Sequence, residues 1–258
     1  MNAMLINEVR KKRPLIHHLT NQVVMNFTAN GLLSFGGTPI MAKEEKEATE
    51  MARMSDGVLL NIGTIIEQEI PAMIQAGKAA NQKGIPVVLD PVGVSATSFR
   101  NEVVRRILTE VKPTAIKGNA GELAHLVGIA WEIKGVDSIG RGNVGEIARK
   151  VANRYQTIAV VTGEVDVISD GEITIENKTG SAMLANVTGA GCLLGSILTA
   201  CFASNDSLME SAQTAVEFYG LAAEYTVALP EVKGSGTFSP RFIDVLSYDV
   251  AIVKGDHQ

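Results

Sequence analysis

Only two cysteines, Cys192 and Cys201, occur in the 258 residues. They sit in a stretch that reads as one helix, where their spacing separates them by roughly 13 Å at the helical rise, beyond the reach of a disulfide. So few thiols fit a reducing cytoplasm. Long hydrophobic runs are missing too. No stretch approaches about 18 uninterrupted apolar residues, so no membrane span is expected. The opening "MNAMLINEVRKKRPLI" lacks the apolar centre of a secretory leader. An excess of positive charge is also absent. The net charge is −5, with no basic run, so nucleic-acid binding, which needs clustered positive charge, is not expected. Neither G-x-x-x-x-G-K-[ST] nor G-x-G-x-x-G after the first strand is found. A small anionic ligand remains open, because a few backbone N–H groups and one Lys suffice to hold it.

What is present is an ordinary globular composition, 46 % hydrophobic and 20 % charged, in a chain long enough to bury a full core. Short β-branched runs alternate with longer helical patterns. Strands are expected at 15–20, 57–63, 86–91, 114–118 and 157–163. Helices are expected from Asn21 (a candidate N-cap) to about residue 36, over 44–55, up to Gly84, and in the stretches "FRNEVVRRILTEVKP", "AGELAHLVG", "VGEIARKVANRYQ", "CLLGSILTACFAS" and "LMESAQTAVEFYGLAAEYTVAL". "DVISDG" and "EITIEN" read as a hairpin joined at Asp170-Gly171, and residues 35–42, "FGGTPIMA", read as a loop. This rhythm predicts a three-layer α/β/α sandwich with a mostly parallel central sheet and a hairpin at one edge. No linker, repeat or low-complexity tract divides the chain, so one domain over residues 1–258 is expected. Ligands in such folds bind at the C-terminal ends of the strands, which singles out Asn61-Ile62-Gly63, Asp90-Pro91, Lys117-Gly118-Asn119, Thr162-Gly163 and the glycine loop "NVTGAGC".

That loop opens an apolar helix. Gly189 and Gly191 permit close approach and positive φ, and the unpaired N–H groups of a helix start suit phosphate or a developing oxyanion. Alone, such a loop is as often only a tight turn. Asp90 at a strand end is a candidate Mg²⁺ ligand or an Asp-Pro turn starter. Lys117 offers phosphate a point charge. Glu122 is either a metal-side carboxylate or a first-turn acid favoured by the helix dipole. Met41 is an adaptable apolar contact or core filling. Together, two carboxylates, one Lys and an anion-binding helix start are equipment for Mg²⁺-nucleotide phosphoryl transfer. His17 and His18 alternate to opposite faces and lack zinc spacing, so a structural role is expected for at least one of them, and His125 reads as solvated or satisfied locally.

In this order, "HHLTNQVVMNFTANGLLSFGGTPIMA", "LLNIGT", "LDPVGVSATSFR", "IKGNAGE", "VVTGEVD" and "NVTGAGC" resemble the hydroxyethylthiazole kinase family of the ribokinase-like superfamily. The resemblance runs from about residue 14 to 200. It implies an ATP-dependent, Mg²⁺-requiring kinase acting on the primary alcohol of 4-methyl-5-(2-hydroxyethyl)thiazole in thiamine salvage. It also implies a homotrimer with active sites between subunits. By position, it places Asn21, Met41 and Gly189 at the thiazole, Lys117 and Thr162 at ATP, and Asp90 and Glu122 near the metal and phosphates. Cys192 stands where most superfamily members carry an Asp as catalytic base. A thiol lowered at a helix N-terminus would be partly ionised at neutral pH. Cys192 is expected to accept either a hydrogen bond or a proton from the substrate alcohol, since a weak base that mainly orients the hydroxyl suffices for a loose transition state. Lys117 departs from the Arg frequent at its position, which removes bidentate phosphate gripping. A hydroxymethylpyrimidine-phosphate kinase, a dehydratase of nicotinamide hydrates and a non-catalytic nucleotide sensor are the alternatives.

Overall fold

The computed structural model describes residues 1–131 and 141–255. One eight-stranded sheet runs through it, in the order β2-β1-β3-β4-β5-β6-β7-β8. The strands are β1 (Leu15–Leu19), β2 (Thr38–Ile40), β3 (Gly57–Asn61), β4 (Val87–Asp90), β5 (Ala115–Asn119), β6 (Ile158–Thr162), β7 (Asp166–Ser169) and β8 (Thr174–Asn177). Strands β2 to β6 in the spatial order are parallel, and β7 and β8 are antiparallel. The helices are α1 (Ala3–Lys12), α2 (Met25–Phe35), α3 (Glu45–Met54), α4 (Ile70–Lys83), α5 (Ser98–Glu110), α6 (Ala120–Leu126), α7 (Arg141–Tyr155), α8 (Ala190–Phe202), α9 (Leu208–Ala228), α10 (Ser235–Val245) and α11 (Val250–Lys254).

The strands are apolar on both sides because helices cover both faces. Successive side chains point to opposite faces. Leu59, Val88, Ala115 and Val160 therefore join one core with α1, α2, α8, α9, α10 and α11. Val58, Leu60, Val87, Leu89, Ile116, Ala159 and Val161 join the other, with α3 to α7. The expected α/β/α sandwich with an edge hairpin is what forms. Among the described residues no helix is long and apolar enough to cross a membrane.

Three local expectations are corrected. Asn21 does not cap a helix. Helix α2 begins at Met25, after Val24 and without a side-chain cap, while Asn21 Oδ1 accepts only from Val24 N in the preceding turn, at 3.2 Å. Residues 35–42 are not all loop, because Thr38–Ile40 pair with Leu15–His17 as the edge strand β2; a Pro at the sheet edge costs no ladder bond. The hairpin closes through four residues rather than two, since β7 ends at Ser169 and β8 starts at Thr174. Asp170 Oδ1 accepts from Glu172 N and Ile173 N, and Gly171 supplies the positive φ of 102°.

Candidate active site

The site follows from strand periodicity. Asn61, Asp90 and Lys117 lie two residues beyond Leu59, Val88 and Ala115, so they share the face that α8 covers. Asn61 sits opposite Asp90 in the strand register. Three polar side chains thus converge where the apolar part of the sheet ends and α8 begins. Gly195 lets the helix descend this far: a Cβ there would lie 3.1 Å from Leu59 Cδ1 and 3.9 Å from Asp90 Oδ2.

Asn61 is the hub. Its Nδ2 donates to Asp90 Oδ2 at 2.8 Å and to Cys192 Sγ at 3.2 Å. Its Oδ1 accepts from Asn21 Nδ2 and from Gly63 N, each at 2.9 Å. Asn21 Nδ2 also donates to Cys192 Sγ, at 3.5 Å. Lys117 Nζ donates to Asp90 Oδ2 at 3.1 Å and to Gly191 O at 3.0 Å, and both members of this ion pair are buried. The ammonium has three donors, so one is left for a further acceptor. Asp90 Oδ1 is buried with no partner.

Burial pushes the Asp90 carboxyl above its ordinary value; Lys117 opposes this without cancelling it, and Glu122 adds to the rise. Burial would lower Lys117, but Asp90, Cys192 and Glu122 together outweigh it and raise its value. Lys117 therefore keeps its charge. Cys192 corrects the expectation of a lowered thiol. Burial first, then the Asp90 carboxylate, push it up, against Lys117 and the two amide donors, so the helix start does not decide its ionisation and it rests as a thiol at neutral pH.

Gly189 precedes α8 with φ of +93°, and a Cβ there would come within 2.7 Å of Val24 Cγ1. Glycine is required on both counts. Glu122 completes a capping box on α6: Asn119 Oδ1 accepts from Glu122 N, and Glu122 Oε2 accepts from Asn119 N, both at 2.9 Å. Its Oε1 accepts from Gly93 N at 2.8 Å. The first-turn reading of Glu122 is thus realised, with lone pairs still available on both oxygens. Met41 follows the edge strand β2, and Thr162 ends β6; both stand outside the hydrogen-bonded network, Thr162 on the α8-facing side by parity with Val160. Among the described residues no group of three or more His, Cys, Asp and Glu is placed to hold a metal alone. The donors present, a free buried Asp90 oxygen with Glu122 nearby, suit a hard cation that brings water and phosphate oxygens as its other ligands.

Among the described residues no histidine is hydrogen-bonded to the Cys192 thiol. His18 lies with Nε2 2.8 Å from Ser196 Oγ and Nδ1 2.9 Å from Ile16 O; burial pushes it down to about 4. His17 faces the other side, with Nε2 2.8 Å from Ala42 O. His125 pairs with Asn101, and His257 lies outside the described residues. Three residues that sequence reasoning passed over shape the site. Asn61 was placed at a strand end without a role. Tyr219 donates its hydroxyl to Ala190 O at 2.6 Å, tying α9 to the start of α8. Arg100 binds the backbone of two strand-end loops. Strand parity gives a signal for Asn61; nothing local in the sequence marks the other two.

A profile described as "Hydroxyethylthiazole kinase family" matches residues 6–250. Hydroxyethylthiazole kinase 1 of Oceanobacillus iheyensis is 57 % identical over 247 residues, 96 % of each chain. A solved hydroxyethylthiazole kinase from Pyrococcus horikoshii superposes with a TM-score of 0.89 at 36 % identity, covering 98 % of this chain and 95 % of that one. Pyridoxal kinase from Staphylococcus aureus in complex with ADP shares the fold alone, with a TM-score of 0.62 at 15 % identity over 82 % of this chain and 87 % of that one. These likenesses bear out the ribokinase-like fold and a kinase, and favour neither the pyrimidine kinase nor the dehydratase. With its strand-end network in place and its profile match running almost end to end, the chain belongs to the hydroxyethylthiazole kinase family.

Proposed function

We propose that the chain transfers the γ-phosphoryl group of ATP to the primary alcohol of 4-methyl-5-(2-hydroxyethyl)thiazole, a step of thiamine salvage. The observation that carries this is the joining of Asn21, Asn61, Asp90, Lys117 and Cys192 at the start of α8, within a chain of this family. Asn21, Met41 and Gly189 line the thiazole side, with the alcohol beside Cys192. Lys117 turns its remaining donor toward phosphate, and Thr162 stands on the nucleotide side. The shared fold with a kinase solved with ADP supports the use of a nucleotide.

The thiol's raised value favours an accepting role for Cys192 over that of an ionised base. Sγ accepts the hydrogen bond of the alcohol and aims an oxygen lone pair at the γ-phosphorus. The new O–P bond forms as the bond from that phosphorus to the bridging oxygen breaks, and the electron pair leaves with ADP. The transition state is loose, so little proton removal is needed early. The alcohol proton departs to water late, once its oxygen carries the phosphoryl group and has become acidic. The N–H groups opening α8 and the Lys117 ammonium stabilise charge on the transferred group. Mg²⁺, held by Asp90 Oδ1 and Glu122, would screen the charge of the triphosphate.

We also take the chain to act as one cytoplasmic domain and as a homotrimer with sites between subunits. The well-exposed Val23, Ile66 and Phe99 support the assembly of copies. They follow β1 and β3 and open α5, so they rim the strand ends where a neighbour would cover them. A coupled ADP-release assay tests the activity. Release is expected with the thiazole alcohol and not with pyrimidine alcohols or ATP alone; release with pyrimidine alcohols only would overturn the reading.

A further inference from the structure

The phosphoryl transfer described above makes no use of Arg100, yet few side chains near the site bind so much backbone. Arg100 lies in the first turn of α5, which Thr97 caps by accepting from Arg100 N at 3.2 Å. Its half-buried guanidinium turns back across the ends of two strands. Nη1 donates to Ile62 O at 2.6 Å and to Val92 O at 2.8 Å. Nη2 donates to Gly63 O at 2.7 Å. One rigid fork thus joins the loop after β3 to the turn after β4. Glu122 grips that same turn from its N–H side, through Gly93 N.

These two segments carry the centre of the site. Ile62 directly follows Asn61, and Val92 lies two residues beyond Asp90. The Asn61 amide serves Asn21, Gly63, Asp90 and Cys192 together, so its position matters at each of these contacts. Carbonyls that leave a sheet must find donors elsewhere, and here one cation supplies them for both loops. A lysine cannot span three carbonyls in a plane, because its ammonium is a compact point charge.

We propose that Arg100 is a positioning residue for phosphoryl transfer, clamping the β3 and β4 loops so that Asn61 holds Asp90 and Cys192 in one geometry. This rests on the kinase activity proposed above. The test compares Arg100→Ala, Arg100→Lys, Asn61→Ala and the double variant Asn61→Ala/Arg100→Lys. Steady-state kinetics are measured with the thiazole alcohol and ATP, and hydrogen exchange at the Gly63 N–H by NMR. Losing the clamp is expected to lower kcat by about 10- to 100-fold while KM stays within about threefold, as a small misplacement of reacting groups does. Gly63 exchange should quicken by about tenfold with Val58–Leu60 unchanged, a local opening rather than a global one. In the Asn61→Ala background, Arg100→Lys should cost less than about threefold more, since both act through one contact set. Arg100→Lys keeps the charge and carries the test if Arg100→Ala fails to fold. Unchanged Gly63 exchange, a kcat for Arg100→Lys within about twofold of wild type, or full additivity with Asn61→Ala would each overturn the proposal. A wild-type chain that forms no ADP with the thiazole alcohol sinks the kinase reading instead, and the exchange measurement still decides the clamp.

Discussion

At the scale of single residues, the chemistry of Cys192 is set by its neighbours and not by its place on a helix. Two amides donate to its sulfur, yet burial and Asp90 raise it. An orienting acceptor fits this better than an ionised base. Cys192→Asp should therefore retain activity, since a carboxylate also accepts the alcohol's hydrogen bond. Cys192→Ala should lower kcat by about 10²-fold, the scale on which a misplaced reacting group loses rate. Steady-state kinetics check both, and an unchanged kcat in the alanine variant would remove the role. The residue types at the site were legible in the sequence, because Asp90 and Lys117 stand at predicted strand ends while Glu122 and the glycine loop stand at predicted helix starts. The burial that raises Cys192, and the engagement of Lys117 with Asp90 and Gly191, were not legible. Both arise from side chains brought together across 27 to 171 residues of chain.

At the scale of elements, the start of α8 is placed by glycine. Gly189 combines positive φ with contact against Val24, whereas Gly84, which ends α4 at a φ of +77°, has nothing within 4 Å of a built Cβ. The pair separates conformational strain from packing. Gly84→Ala should cost about 1 kcal/mol, the backbone term alone. Gly189→Ala should cost about 2–4 kcal/mol, because overpacking adds to it. It should also lower kcat by shifting the first turn of α8. Equal destabilisation of the two variants in denaturant melts would contradict this account. The main helices and parallel strands were legible from their periodicity, whereas the boundaries at α2 and β2 were not. Asn21 carries a capping side chain but spends its amide on Asn61 and Cys192. A three-residue edge strand is too short to show a period of two.

At the scale of the whole molecule, one sheet aligns β3, β4 and β5 so that their polar ends meet under α8. The layering could be read from alternating strands and helices, while the assembly of copies entered only through family resemblance. Light scattering should return three times the 27.4 kDa chain mass; the mass of one chain would contradict the trimer. The central claim is transfer to a specific alcohol, and product detection tests it most directly. With γ-labelled ATP and the thiazole alcohol, the account predicts that label moves from ATP into a phosphorylated thiazole in step with ADP formation. Label appearing only as free phosphate, with the alcohol unchanged, would contradict it.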